Sequence, residues 1–251
     1  MNNEYDITGF KISNLTLDEL LASVLHLVRR EGRVAPAVVM SANVHSINSA
    51  HKYQWLSRMN ERAELVRNDS AGVQLAGRIL GVTIKQRMTW ADFGWDLAEF
   101  CQDNDISMYF LGGREGVANR ARSRLVERFP RLRVLGAHHG FFDKTGGDSD
   151  RVVNEINQLG PDILVVGFGV PIQERWILEN QSRLATRVIM TGGNCFSFLA
   201  GIESRAPQWM HQNGLEWLYR LMKEPFRMSR RYILGNPLFL IRVIRQRMGN
   251  G

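Results

Sequence analysis

Hydrophobic positions along the chain follow two periods in turn. Leu17, Leu20, Leu21, Val24, Leu27 and Val28 recur at helical spacing and predict a helix over Leu17 to Arg30. Thr16 can cap it, and Glu19 three residues on completes a capping box. Ala37 to Met40 is a short apolar run that reads as a buried strand ending in Ser41-Ala42-Asn43, with a helix following around Ile47 to Arg58. Ala63 to Val66 repeats the pattern, ending at Asn68-Asp69-Ser70 before helical stretches through Leu80 and over Trp90 to Cys101. From Ser107 the alternation is regular. Strands at Ser107 to Leu111, Leu132 to Gly136, Asp162 to Val166 and Arg187 to Met190 are separated by helices at Val117 to Phe129, Asp150 to Gln158 and from Pro171. Proline suits a first helical turn, where its missing N–H is no loss. Such alternation predicts an α/β fold: a Rossmann-like, mostly parallel sheet with helices on both faces.

In such sheets ligands bind beyond the carboxyl ends of the strands. Five segments should therefore converge there: Ser41–Asn43, Asn68–Ser70, the turn Gly112-Gly113-Arg114, Gly167–Gln173 and Thr191–Ser197. Glycines such as Gly112, Gly113, Gly169 and Gly193 let backbone N–H groups approach a phosphate, but tight turns alone would need them too. Neither FLGGREG nor VGFGVP is the full G-x-G-x-x-G fingerprint, so a dinucleotide site has little support. Asp69, just past an apolar strand, can act as a general base toward a hydroxyl or can cap the next helix. Of two D-x-D patterns, Asp103-Asn104-Asp105 precedes a strand, at the wrong edge of the sheet, and Asp148-Ser149-Asp150 reads as a helix cap. No Cys/His spacing suggests zinc, His138-His139 reads as a loop pair, and no G-x-S-x-G supports a serine hydrolase. No metal and no cofactor is expected.

Composition narrows the class. With 44% hydrophobic and 23% charged residues the chain is globular, not disordered. Two cysteines, Cys101 and Cys195, fit a reducing compartment. The start lacks a basic and an apolar region, so no signal peptide is expected. No apolar run reaches the roughly 18 residues of a spanning helix. The best stretch, Tyr232 to Ile244, is broken by Gly235, Asn236, Pro237 and Arg242. Charge is uneven: residues 205–251 hold nine Lys and Arg against Glu216 and Glu224, and so carry the whole net charge of +7. The chain accordingly divides into an α/β core, 1–204, and a helical appendage, 205–251. Leu215 to Lys223 is helical up to Pro225, where a second helix can start. Trp209, Trp217, Tyr219, Phe226, Tyr232 and Phe239 alternate with arginines there. That composition suits a membrane interface, a helical pair packed on the core, or single-stranded nucleic acid.

The combined segments choose among these. SANVHSIN, ELVRNDSAGVQLAGRILG, the Arg87 region, MYFLGGREGVANRA, GAHHGFF, DILVVGFGVPIQERWI and RAPQWMHQNGLEWLYRLMKEPFRMSRRYILGNPLFL resemble the WecG/TagA/CpsF family of glycosyltransferases from about Ala37 to Phe239. The resemblance implies inverting transfer of a sugar from a UDP-sugar to an undecaprenyl-diphosphate-linked sugar during surface polysaccharide assembly. It implies Asp69 as general base and Arg87 as an active-site arginine. It places Ser41 and Asn43 in the acceptor pocket and Gln173 on substrate. Arg220, Arg227 and Arg230 would meet diphosphate. It also implies a cytoplasmic protein peripheral on the inner leaflet, no nucleic acid partner, and an oligomeric state left open. The chain departs from the family at Ser41 (usually Thr), at Ser70 (usually Gly) and at Ser197 (usually Asp). Losing a carboxylate at Ser197 points away from N-acetylmannosamine or its uronic acid and toward a plain hexose such as glucose.

Overall fold

The computed structural model describes residues 4–32 and 34–249; the side chains of Arg227 and Arg230 lie outside the described residues. A short antiparallel pair, β1 (Glu4–Asp6) and β2 (Lys11–Ser13), leads into α1 (Leu17–Arg29), whose Thr16 and Glu19 form the expected capping box. Then follow β3 (Ala37–Ala42), α2 (Val44–Lys52), α3 (Gln54–Arg62), β4 (Leu65–Asn68), α4 (Ala71–Leu80) and α5 (Trp90–Asp103). The second half contains β5 (Met108–Gly112), α6 (Val117–Arg128), β6 (Val134–His138), α7 (Gly146–Leu159), β7 (Ile163–Gly167), α8 (Ile172–Asn180), β8 (Val188–Thr191) and α9 (Cys195–Leu199). The tail forms α10 (Gln208–Gln212), α11 (Glu216–Lys223), α12 (Pro225–Ser229) and α13 (Gly235–Gly249). A π turn over Arg230–Leu234 joins the last two.

Strands β3 to β8 make one sheet in the order β4-β3-β8-β7-β5-β6, and every pairing is parallel. Side chains of a strand alternate between faces, so each face has its own core. Val39, Phe110, Val165 and Met190 meet α1, α5, α6 and α9 on one face. Met40, Leu111, Val166 and Ile189 meet α2, α3, α4, α7, α8 and α13 on the other. The expected α/β architecture is present, and all six strands end at one edge.

Several boundaries differ from expectation. The helix expected at Ile47 to Arg58 is two, because Tyr53 adopts an extended backbone (φ −120, ψ 100) and ends α2. Helix α7 starts at Gly146, four residues before Asp150, with Thr145 as the preceding residue, so Asp148-Ser149-Asp150 lies inside its first turns rather than at its cap. Strands β5 and β7 run one residue further, to Gly112 and Gly167. These pair with each other so closely that a Cβ on Gly112 would lie 2.4 Å from the Gly167 carbonyl oxygen.

The tail is tied to the core. Phe239 and Val243 of α13 are 1% and 0% exposed within the second core face. The Gln246 side chain accepts from Thr8 N at 2.7 Å, and the Asn48 side chain donates to Gly235 O at 2.8 Å. No helix among the described residues is long and apolar enough to cross a membrane.

Candidate active site

The carboxyl edge of the sheet opens into a cavity of about 1750 Å³. Turns after all six strands line it: Asn43, Asp69, Gly113-Arg114, Gly140–Phe142, Gly167–Gln173 and Gly192–Asn194. The tail closes its far wall with Glu216, Tyr219, Arg220, Lys223 and Arg231. A second cavity of about 1060 Å³ lies between α4 and the tail, with an apolar flank of Val44, Leu75, Leu215, Trp217, Leu218, Leu221, Ile233, Phe239 and Leu240 and with Arg78, Arg87, Arg220 and Arg231 also in its wall. Asn43, His45, Asp69, Thr89, Glu216, Arg220 and Arg231 line both cavities, so Asp69 stands where they meet.

Local structure explains why Asp69 is available. Its backbone N–H donates to Ala42 O at 2.8 Å, fixing it at the end of β4. Ser70, not Asp69, caps α4: its Oγ accepts from Val73 N at 3.2 Å. The Asp69 carboxylate, 23% exposed, is 3.7 Å from Arg67. Burial raises its pKa above the ordinary carboxylate range. The charges of Arg67, Arg220 and Arg231 pull against that rise, and Glu216 adds to it. A carboxylate so raised is a better proton acceptor at neutral pH.

Arg67 is a site residue that the sequence pattern did not reveal. It is 2% exposed on β4, and its guanidinium lies 4.9 Å from the Trp90 ring and 4.7 Å from the Phe93 ring. It donates to Met88 O and, at 2.7 Å, to Ser41 Oγ. Ser41 Oγ donates in turn to Thr191 O at 2.9 Å, which also receives the Trp90 indole N–H at 2.9 Å. Ser41 thus holds Arg67 as well as lining the large cavity. Asn43 spends its Oδ1 capping α2, from His45 N at 3.0 Å and Ser46 N at 3.1 Å, which leaves its amide nitrogen for a ligand.

Gln173 has a different partner set from the one its family position implies. Only 2% exposed, its Oε1 accepts from Gly193 N at 2.9 Å and from Gly169 N at 3.2 Å, clamping two glycine turns together. Gly113 N donates to Gly167 O at 3.3 Å. The N–H groups of Gly113, Gly169 and Gly193 are therefore engaged by the protein, and Gly169 and Gly193, at φ 87 and 59 with open space where a Cβ would stand, serve the left-handed backbone of their turns. Gly112 packs on Gly167 and is not among the residues lining either cavity. Positive charge comes instead from side chains: Lys52, Arg114, Lys144, Arg220, Lys223 and Arg231 line the large cavity.

Arg87 lines the smaller cavity beside Asp69 and Ser70. It shares one acceptor, His211 Nε2, with Arg205, at 2.5 and 2.6 Å. Burial and the two guanidinium groups push His211 below the usual histidine range, so its ring stays neutral and accepting. Arg220 pairs with Glu216 at 2.9 Å and lies 5.1 Å from the Phe198 ring. Burial would lower the Arg220 pKa, but Glu216 holds it above the ordinary arginine value. Arg231, unmarked by the sequence reading, stands at the junction, while the side chains of Arg227 and Arg230 fall outside the described residues. Ser197 lines the large cavity beside Asn194.

Neither D-x-D pattern is at the site. Asp103 and Asp105 pair with Arg131 and Arg133, and Asp148 and Asp150 with Arg151 and Arg183. His138 ends β6 and stacks on His139 at 4.5 Å.

Residues 5–251 match the family model described as "Glycosyl transferase WecG/TagA/CpsF family". Curated relatives include the N-acetylglucosaminyldiphosphoundecaprenol N-acetyl-beta-D-mannosaminyltransferases of Staphylococcus aureus strains MRSA252, MW2 and NCTC 8325. Each is 24% identical over 238 residues, covering 95% of this chain and 91% of the relative.

Proposed function

The chain belongs to the WecG/TagA/CpsF family of glycosyl transferases, and from that premise we propose that it moves a sugar from a UDP-sugar to a lipid-diphosphate-linked sugar with inversion. The observation that carries the mechanism is the position of Asp69 at the wall shared by a larger cavity lined by six basic side chains and a smaller one with an apolar flank. The larger, cationic cavity takes the UDP-sugar. The smaller cavity takes the acceptor sugar and the first isoprene units of its lipid.

In this reading the acceptor hydroxyl gives its proton to the Asp69 carboxylate. Its oxygen bonds to the donor's anomeric carbon from the face opposite UDP, and the bond from that carbon to the diphosphate oxygen breaks. The diphosphate leaves with an added negative charge, which Arg220 and Arg231 stabilise at the same junction. Arg67 holds Asp69 in place by its 3.7 Å ion pair and is itself fixed by Ser41 and the two aromatic rings. We propose that these cations, rather than a metal ion, meet the diphosphate.

The Ser197 departure points to a plain hexose such as glucose. The relatives' printed activity instead favours N-acetylmannosamine as the donor sugar and N-acetylglucosaminyl-diphosphoundecaprenol as the acceptor, and we adopt that pair. The test is a panel of UDP-sugars, including UDP-N-acetylmannosamine and UDP-glucose, with a synthetic lipid-diphosphate N-acetylglucosamine acceptor, read by mass spectrometry with and without EDTA. The expected result is N-acetylmannosamine transfer that survives EDTA. In Asp69→Asn, kcat falls about 10²- to 10⁴-fold while UDP still binds. Full transfer by Asp69→Asn removes that residue from the role, and glucose transfer in preference to N-acetylmannosamine overturns the donor assignment.

A further inference from the structure

The turn between β8 and the tail carries a small polar relay that the transfer mechanism above does not use. Asn194 Nδ2 donates to Glu203 Oε1 at 2.5 Å, and Ser197 Oγ donates to Asn194 Oδ1 at 2.8 Å. The backbone repeats the link: the N–H groups of Ile202 and Glu203 donate to Ser197 O at 2.9 and 3.0 Å. All three side chains line the larger cavity, and none lines the smaller one. The relay therefore faces the donor side alone.

Its polarity is fixed from one end. The Glu203 carboxylate can only accept, so Asn194 must present its N–H₂ to it, and the amide oxygen is left to accept from the Ser197 hydroxyl. Both partners of the amide are thereby set, and the carboxylate is held by one of its two oxygens. Among the described residues no protein hydrogen bond is made to the other oxygen, Oε2, which belongs to a half-buried residue at the cavity wall. A carboxylate only accepts hydrogen bonds, and a sugar can meet it with donors from its hydroxyl and acetamido N–H groups. Nucleotide phosphates offer none, and a carboxylate repels them. A carboxylate oriented in this way on the donor side thus fits the sugar and not the diphosphate.

We propose that Glu203, positioned by Asn194 and Ser197, is a specificity-determining residue that accepts a hydrogen bond from a hydroxyl or acetamido N–H group of the donor sugar. The inference rests on the donor reading of the large cavity given above. It also answers the Ser197 departure: the side chain at 197 is a hydroxyl, and the relay supplies a carboxylate to the same wall through Asn194. A site built to bond a substrate O–H or N–H rejects sugars that lack it, because the protein group is then left unpaired. Glu203 thus selects among UDP-sugars without contributing to UDP binding itself.

The test separates sugar from nucleotide. Donor KM, acceptor KM and the inhibition constant of UDP alone are measured for the full-length protein and for Glu203→Val, Asn194→Ala and the double variant Ser197→Asp/Glu203→Val. Expected are a donor KM raised at least about tenfold in Glu203→Val and a smaller rise in Asn194→Ala. UDP inhibition and acceptor KM stay within about twofold, which also shows that the variants fold. In the double variant a carboxylate returns beside the same amide, and the donor KM recovers in part. A donor KM within twofold of wild type in Glu203→Val overturns the inference, as does a parallel rise in the UDP inhibition constant. A wild-type protein that binds no UDP overturns the parent reading and the inference with it; one that binds UDP and transfers sugar, yet is indifferent to Glu203→Val, overturns the inference alone.

Discussion

Glu174 shows what a single buried carboxyl does to this fold. It follows Gln173 on α8, is 1% exposed, and accepts from the Gln173 side-chain amide at 2.7 Å. Among the described residues its other oxygen, Oε2, has no hydrogen-bond partner. Burial pushes its pKa up to about 7, against the hydrogen bond from Gln173 that lowers it. The folded protein therefore holds this proton more tightly than the unfolded chain. The stability it contributes is fully present below the unfolded value of 4.5 and is lost as pH rises through about 7. Glu174→Gln has no proton to lose. Thermal or urea unfolding should find it close to wild type at pH 5 and more stable by about 2–3 kcal/mol at pH 8. A stability difference that does not change with pH would show that Glu174 does not titrate between these limits. Glu174 shares the buried face of α8 with Trp176 and Ile177, but a glutamate beside Arg175 reads from the residue pattern as solvent-facing. Asp69 is legible because a parallel strand delivers its last residues to the ligand edge. Arg67 and Glu203 are not. One depends on where α5 sets Trp90 and Phe93, the other on a loop returning nine residues later to meet Asn194.

At the scale of elements, apolar periodicity located every strand of the large sheet and the helices between them, because each face of a doubly covered sheet demands apolar residues. It missed the boundaries that backbone geometry decides, such as the break at Tyr53. Charge, not periodicity, divided 205–251 from the core. Charge reports the surface of the tail, whereas Phe239 and Val243 are buried beside α2 and α4. Phe239 also lines the smaller cavity. Helix α13 is thus held by packing, and its apolar contacts support the wall on which Asn43 and Asp69 stand. Phe239→Ala removes a large side chain that is 1% exposed, at a cost of about 3–5 kcal/mol. For a chain of this size that lowers the unfolding midpoint by at least about 6 °C in calorimetry. A shift below about 2 °C would mean that the tail is a separate unit, docked loosely enough to lose the contact at no cost.

The whole molecule presents its cavities and its basic tail on the same side. Ile233 lines the smaller cavity and Leu234 and Leu238 the larger one, yet they are 59%, 64% and 45% exposed. Leu234, Leu238, Ile241 and Met248 follow one another at helical spacing, so an exposed apolar stripe runs down α13 from the cavity mouths, with Arg245 in the same row. Phe226 stands 98% exposed just before it. Apolar and basic groups so combined fit the boundary between acyl chains and anionic headgroups. Docking there would hold the cavities against the layer that contains a lipid-linked acceptor. We propose peripheral binding by this stripe. Each exposed apolar side chain that enters the bilayer contributes about 1.5–3 kcal/mol, and each base near an anionic surface about 1 kcal/mol. The charge contribution is screened by salt and the apolar one is not. Sedimentation with vesicles containing anionic lipid should therefore show binding that weakens, without vanishing, as salt rises from 0.1 to about 0.5 M. Replacing Phe226, Ile241 and Met248 together by Ser should weaken binding at least about 100-fold at either salt, with the UDP inhibition constant unchanged. If the triple variant binds vesicles as wild type does, the apolar stripe is not what holds the membrane, and the basic residues or another surface carry the binding.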